Sequence, residues 1–228
     1  IGSLPVLIPV AFLAQVTVYC IVFMVNYAIT AQERMRQERE KANTAQFRYL
    51  KLKRQVDPHF LFNSLNILDC LVGDDKPKQA SEYIHKLAGL YRYMIKSEEE
   101  EIVLLRDELA FVEQYVDLLK VRFPEGFEVD MNVAEECMSK YVLPCSIQLL
   151  IENATKHNTV SIDNPLKISI SVSGDFVQVC NNIIPKVTKA HSMGLGHKYI
   201  RQQYLDISGK EIEIADDGND YCVTLPLL

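Results

Sequence analysis

The sequence predicts three regions in order: a membrane-crossing helix, an α-helical hairpin that pairs with its twin as a four-helix bundle, and an α+β layered domain. Three observations carry this. Residues 1–32 hold no charged side chain. From 58 to 122 apolar residues recur at helical spacing around the turn signal Gly73-Asp-Asp-Lys-Pro77. After Pro124 the pattern changes to short strands mixed with helices. The expected boundaries are 1–29, 30–100 and 101–228.

Within the first region, Leu4 to Ile29 is almost continuously apolar. A hydrocarbon core about 30 Å thick needs roughly 20 such residues. Neither a basic leader before the run nor a small-residue cleavage site after it suggests a signal peptide. A chain opening on Ile1 is also expected to continue upstream.

From Glu33 to Arg54 there are eight Lys or Arg residues and three Glu. The positive-inside rule then places everything after the span in the cytoplasm. Met35, Ala42, Tyr49 and Val56 recur every seven residues, with Ala45 and Leu52 in the same frame. This predicts a helix leaving the membrane and pairing with its twin, or a solvated basic helix at the headgroups.

In the first hairpin helix, at about 100° per residue, Leu61, Leu65, Leu68 and Val72 form one stripe. His59 projects roughly 150° away from it, with Asn63 and Asn66 on its side, and Pro58 marks a bend just before. A neutral imidazole is a competent nucleophile toward a phosphoryl group, and an amide four residues on could orient it. By periodicity alone, an ordinary exposed histidine is the favoured reading of His59.

The return helix spans 79–96, with Ala80, Tyr83, Ile84, Leu87, Leu90, Tyr91 and Met94 on its apolar face. Two helices cannot bury such faces alone, whereas a dimeric four-helix bundle can. Glu98–Glu101 reads as a solvated acidic cluster. A further helix, Leu105 to Arg122, turns Leu109, Val112, Val116 and Leu119 to one side and ends at Phe123-Pro124.

In the last region, strands are expected at 127–133, 166–172, 176–180, 211–215 and 221–225, the second and third joined at Gly174-Asp175. Helices are expected at 143–158 and from 194–196 onward. A sheet covered by helices on one face accommodates these elements.

Two spots there suit phosphates. Asn153, Lys156 and His157 share one helical face, where an amide oxygen suits Mg²⁺ and an ammonium suits phosphate. Polar residues on the outer side of a half-buried helix read as well. Gly194-Leu-Gly196 opens a helix whose free N–H groups attract anions, although a simple cap is the default for so short a motif.

Charge and cysteine content narrow the partners. A net charge of −6 leaves no basic surplus for nucleic acid, so no direct nucleic-acid contact is expected. The six cysteines, Cys20, Cys70, Cys137, Cys145, Cys180 and Cys222, form no C-x-x-C pair and read as buried, reduced thiols.

Gln55-Val-Asp-Pro-His-Phe-Leu-Phe-Asn-Ser-Leu-Asn66 resembles the phosphoacceptor box of the LytS-type sensor histidine kinases. Leu87-Ala-Gly-Leu-Tyr-Arg-Tyr-Met94 resembles their second bundle helix. The segments around Asn153 and Gly194–Gly196 resemble the N-box and second glycine box of their Bergerat-type ATPase domain.

The resemblance covers 30–228. It implies a dimerisation and phosphotransfer hairpin followed by an ATP-binding α+β sandwich, in a protein of the bacterial cytoplasmic membrane. His59 would be autophosphorylated from ATP, with Asn63 and Glu152 as catalytic neighbours and Asn153 on Mg²⁺. Lys156, His157, Asn181, Gly194 and Gly196 would bind the nucleotide. The partners implied are a second copy of the chain and a response regulator of the LytTR type, which receives the phosphoryl group on an aspartate.

The sequence departs from the family at the first glycine box. Asn181-Asn-Ile-Ile-Pro185 stands where Asp-x-Gly-x-Gly is usual, and the lid over 183–193 is short. These departures motivate an alternative, a membrane-anchored dimeric scaffold with weak or no ATP use.

Overall fold

A computed structural model describes residues 22–36, 58–97, 100–186 and 195–228, together with Gln15 and Tyr19. It divides into a unit over Ile1–Pro58 and a unit over His59–Leu228.

In the first unit, residues 22–36 form a helix, α1. Among the described residues no helix is long and apolar enough to cross a membrane. Most of the span expected over 1–29, and most of the heptad helix after it, lies outside the described residues.

The second unit opens with α2 (Pro58–Gly73) and α3 (Pro77–Lys96). Proline at the start of each helix fits, because the first N–H groups have no intrahelical partner to lose. Residues Ala80, Tyr83, Leu87 and Leu90 bury one face of α3. The stripe expected on α2 is covered in part within one chain, where Leu61 and Leu68 are half-buried. Leu65 and Val72 are 49% and 67% exposed, while Ser64 is buried and Phe60, Ile67 and Leu71 are half-buried. The cause is α4 (Leu105–Arg122), which packs against the hairpin and draws the neighbouring row of α2 inward: Phe60 meets Tyr115 at 5.5 Å between ring centroids. Ile84 of α3 also stays 50% exposed.

Leu105, Leu109, Phe111, Val112, Tyr115, Val116, Leu118 and Leu119 are all buried on α4, which is therefore covered on most sides. It joins the hairpin to the sheet domain, and Phe111 stacks on Tyr93 of α3 at 4.3 Å.

Two short strands, β1 (Val103–Leu104) and β3 (Tyr141–Val142), pair antiparallel. The main sheet comprises β2 (Phe127–Asn132), β4 (Leu166–Ser173), β5 (Phe176–Asn182), β6 (Glu213–Asp216) and β7 (Asp220–Pro226). Its strand order is β2-β4-β5-β7-β6, with β2 parallel to β4 and the other pairs antiparallel.

Alternation follows the pleat. Leu166, Ile168, Ile170, Val177, Val179, Val223 and Leu225 are buried on one face, under α4, α5 (Ser146–His157) and α6 (Leu195–Ser208). The opposite face carries Lys167, Ser169 and Gln178 and is open. The expected α+β layering is present, and each strand foreseen from the pattern falls within two residues of its place.

The cysteine expectation is corrected. Cys180 and Cys222 sit opposite each other on β5 and β7 and are disulfide-bonded. Of the other described cysteines Cys70 is exposed, and Cys137 and Cys145 are half-buried. Spacing along the chain could not show this pairing, because strand register alone brings positions 180 and 222 together. Cys20 lies outside the described residues.

Candidate functional site

Helix α5 carries the largest group of candidate residues. Its buried face, Ile147, Leu150, Ile151 and Ala154, holds it to the core, and Asn153, Lys156 and His157 follow on the outer side. Lys156 and His157 are exposed, and Asn153 is half-buried. The Nδ2 of Asn153 is sealed from solvent and has no hydrogen-bond partner. Leaving a buried amide nitrogen unpaired costs about 1–3 kcal/mol.

Glu152 accepts a hydrogen bond from Gln148 Nε2 at 3.2 Å. Burial is the first cause holding the pKa of His157 below its ordinary value, followed by the charges of Lys156 and Lys186. The ring is therefore neutral at physiological pH and free to share a proton with a phosphate oxygen.

The C-terminal end of α5 is tied to the segment that replaces the first glycine box. Asn158, buried, donates from Nδ2 to Ala154 O (3.0 Å) and accepts at Oδ1 from Ile184 N (2.7 Å). Thr159 N donates to Ile184 O at 2.8 Å. Lys186 Nζ donates to the carbonyls of Thr155 and Lys156 at 3.0 and 2.8 Å, the helix end that attracts cations. Where the family pattern has glycines, side-chain hydrogen bonds hold an Ile-Ile-Pro segment.

Asn181 faces inward from β5 and is 8% exposed. Its Nδ2 donates to Asn182 O at 2.8 Å, so Oδ1 is the atom left to accept from a ligand. Asn182 is structural: it receives Lys167 N and donates to Pro165 O. Helix α5 packs against β5 and α6, which brings the elements bearing Asn153, Asn181 and Gly196 into adjacent layers.

Gly196 is the second residue of α6, as the sequence predicts. Gly194 and the lid from 187 onward lie outside the described residues. His59 is the second residue of α2, and its side chain falls outside the described residues, as does the expectation that it points outward. Asn63, one turn on, is half-buried.

Two clefts are described elsewhere: one of about 300 Å³ between α3 and α4, and an open one of about 800 Å³ lined by Arg201 and Glu211. Neither touches Asn153. No group of acidic, His or Cys side chains able to hold a metal occurs among the described residues. A divalent ion here would rest on Asn153 Oδ1 and on phosphate oxygens; the unpartnered Nδ2 is a donor and is no ligand for a cation.

Sequence reasoning missed Glu108, a fully buried carboxyl on α4. It accepts Cys145 N (2.9 Å), Ile147 N (3.2 Å) and the Tyr93 hydroxyl (3.0 Å). Asn158 was also missed, although a polar residue closing an apolar helix is a recognisable capping signal.

Residues 47–127 match the family model described as Histidine kinase. Sensor histidine kinase BtsS of Escherichia coli (strain K12) is 30% identical over 199 residues, covering 83% of this chain and 35% of that protein. Sensor protein kinase HptS of Staphylococcus aureus (strain USA300) is 30% identical over 157 residues, covering 68% of this chain and 28% of that protein. The chain thus spans about a third of the length of these relatives. The solved structure of Acinetobacter baumannii histidine kinase AdeS overlaps it loosely, with a TM-score of 0.37 and 14% identity over 73% of this chain and 95% of that one.

Proposed function

Because this chain belongs to the histidine kinase family, in its LytS-type branch, we propose that it autophosphorylates on His59 with ATP·Mg²⁺ and passes the phosphoryl group to an aspartate of a response regulator. The observation that carries the nucleotide part is the outer side of α5, where half-buried Asn153 stands on one face with the exposed Lys156 and His157. Asn153 and Glu152 would hold the Mg²⁺ end of the nucleotide. Lys156 and His157 would meet phosphate oxygens, Asn181 Oδ1 the adenine amino group, and the N-terminus of α6 at Gly194–Gly196 further phosphate charge. Magnesium supplies charge neutralisation across the phosphates.

In the transfer, a ring nitrogen of His59 attacks the γ-phosphorus, the bond to the β–γ bridging oxygen breaks, and ADP leaves. Asn63, one turn after His59, would orient the ring or the incoming group. The protein's share is positioning and electrostatics rather than covalent chemistry of its own.

The charge-free run at 1–32 and the basic stretch after it support anchoring in the bacterial cytoplasmic membrane with the kinase region inside. The exposed apolar side chains of α2 and α3 support a homodimer. A LytTR-type regulator is the partner that the family resemblance favours.

The changed box at 181–185, pinned by Asn158, favours a second reading, a scaffold that does not use ATP. Calorimetry with ATP and Mg²⁺ separates the two. The kinase reading gives a binding heat that Asn153→Ala weakens by about tenfold in affinity. Absence of heat from the unaltered chain selects the scaffold.

A further inference from the structure

Helix α5 lacks a side-chain cap of its own. Its N-cap, Cys145, makes no such bond and sits at φ 58°, a left-handed conformation unusual for a residue with a Cβ. The cap comes from another element. Glu108 of α4 reaches across to take the N–H groups of Cys145 and Ile147, the first free donors of α5. The same Oε2 that receives Cys145 N also receives the hydroxyl of Tyr93, from the hairpin helix α3. Tyr93 is fixed in turn by its stacking on Phe111.

A buried carboxyl is a costly way to fill space; a leucine or glutamine would fill it more cheaply. What a carboxyl offers is two acceptor oxygens able to serve both helices at once. A cap alone would need only the backbone donors. Adding Tyr93 makes one oxygen common to the hairpin that bears His59 and the helix that bears Asn153, so a shift of either is felt by the other.

We propose that Glu108 is a positioning residue for phosphoryl transfer, joining Tyr93 of the phosphoacceptor hairpin to the N-terminus of the nucleotide-binding helix. This rests on the kinase reading given above.

Four titratable groups face or adjoin this carboxyl: Tyr93 from α3, the Cys145 thiol before α5, Tyr204 from α6, and Asp107 on its own helix. Burial, chiefly, pushes both tyrosines far above their ordinary range, so they stay protonated. Burial also lifts Glu108 to about 7, against the pull of its N–H and hydroxyl donors. The ionised carboxylate accepts every donor aimed at it. The protonated form gives up one acceptor position, and the junction to Tyr93 is weaker in that state.

The test compares His59 labelling by γ-labelled ATP in the whole chain, in nanodiscs, for wild type, Tyr93→Phe, Glu108→Gln and the double variant, at pH 6 and pH 8. Rates taken as variant-to-wild-type ratios cancel the titration of His59 itself. Tyr93→Phe keeps the ring on Phe111 and removes only the hydroxyl. Its expected labelling rate is lower by about tenfold at pH 8 and about twofold at pH 6, with KM for ATP within about twofold of wild type.

The double variant is expected to label no more slowly than Glu108→Gln alone, because the two act through one bond. Should Glu108→Gln fail to fold, the pH-dependent deficit of Tyr93→Phe carries the test by itself. Labelling of Tyr93→Phe at the wild-type rate, faster than it, or slowed equally at both pH values overturns the proposal while leaving the kinase reading intact. An unlabelled wild-type chain fails the kinase reading and takes this proposal with it.

Discussion

Glu108 links chemistry to stability in a way that can be signed. Its carboxyl titrates near 4.5 when unfolded and near 7 in the fold, mainly through burial. Between those values the folded state holds the extra proton, so stability falls as pH rises through this window and levels off above it. Glu108→Gln removes that slope. Urea unfolding of the two proteins at pH 5 and pH 7.5 is expected to show wild type losing on the order of 1–3 kcal/mol more than the variant. Equal losses would mean the carboxyl is not raised. At this scale motif resemblance pointed to His59, Asn153 and Asn181 as candidates, whereas nothing in the sequence pointed to Glu108. A glutamate between Asp107 and Leu109 reads as solvated, and its backbone donors lie 37 and 39 residues further along the chain.

Element boundaries were the most legible part, because they rest on local rules. Proline opens α2 and α3, and Phe123-Pro124 closes α4 as the spacing predicts. Helix α5 begins later than the apolar run suggests, because residues 141–145 first form β3 and then the left-handed turn at Cys145. Gly126 shows what local pattern cannot convey. A Cβ built there would lie 3.0–3.3 Å from the backbone of Ser161, far along the chain. Gly126→Ala is therefore expected to cost about 1–3 kcal/mol by overpacking, read as a lower unfolding midpoint. At the other end of α5, Asn158→Ala removes the acceptor of Ile184 N. Faster amide exchange at Ile184, with α4 unchanged, is the expected sign that the 183–186 segment has been released.

For the whole molecule, the hairpin leaves Phe62, Leu65, Val72 and Ile84 between 49% and 67% exposed. Such side chains are stable in water when a second copy covers them. Leu65→Glu combined with Val72→Glu is expected to shift the chain from dimer to monomer in light scattering, with circular dichroism unchanged. Helical periodicity showed that an apolar face existed and that a second copy was needed to cover it, but not how the face divides between packing within one chain and the partner. Only the placement of α4 against the hairpin reveals which row stays open. The account as a whole stands on one transfer, from nucleotide to imidazole, and labelling with γ-labelled ATP followed by mapping of the modified residue tests it most directly. Acid-labile label on His59, absent from His59→Gln, is the predicted result; label that persists in His59→Gln, or maps to another residue, contradicts it.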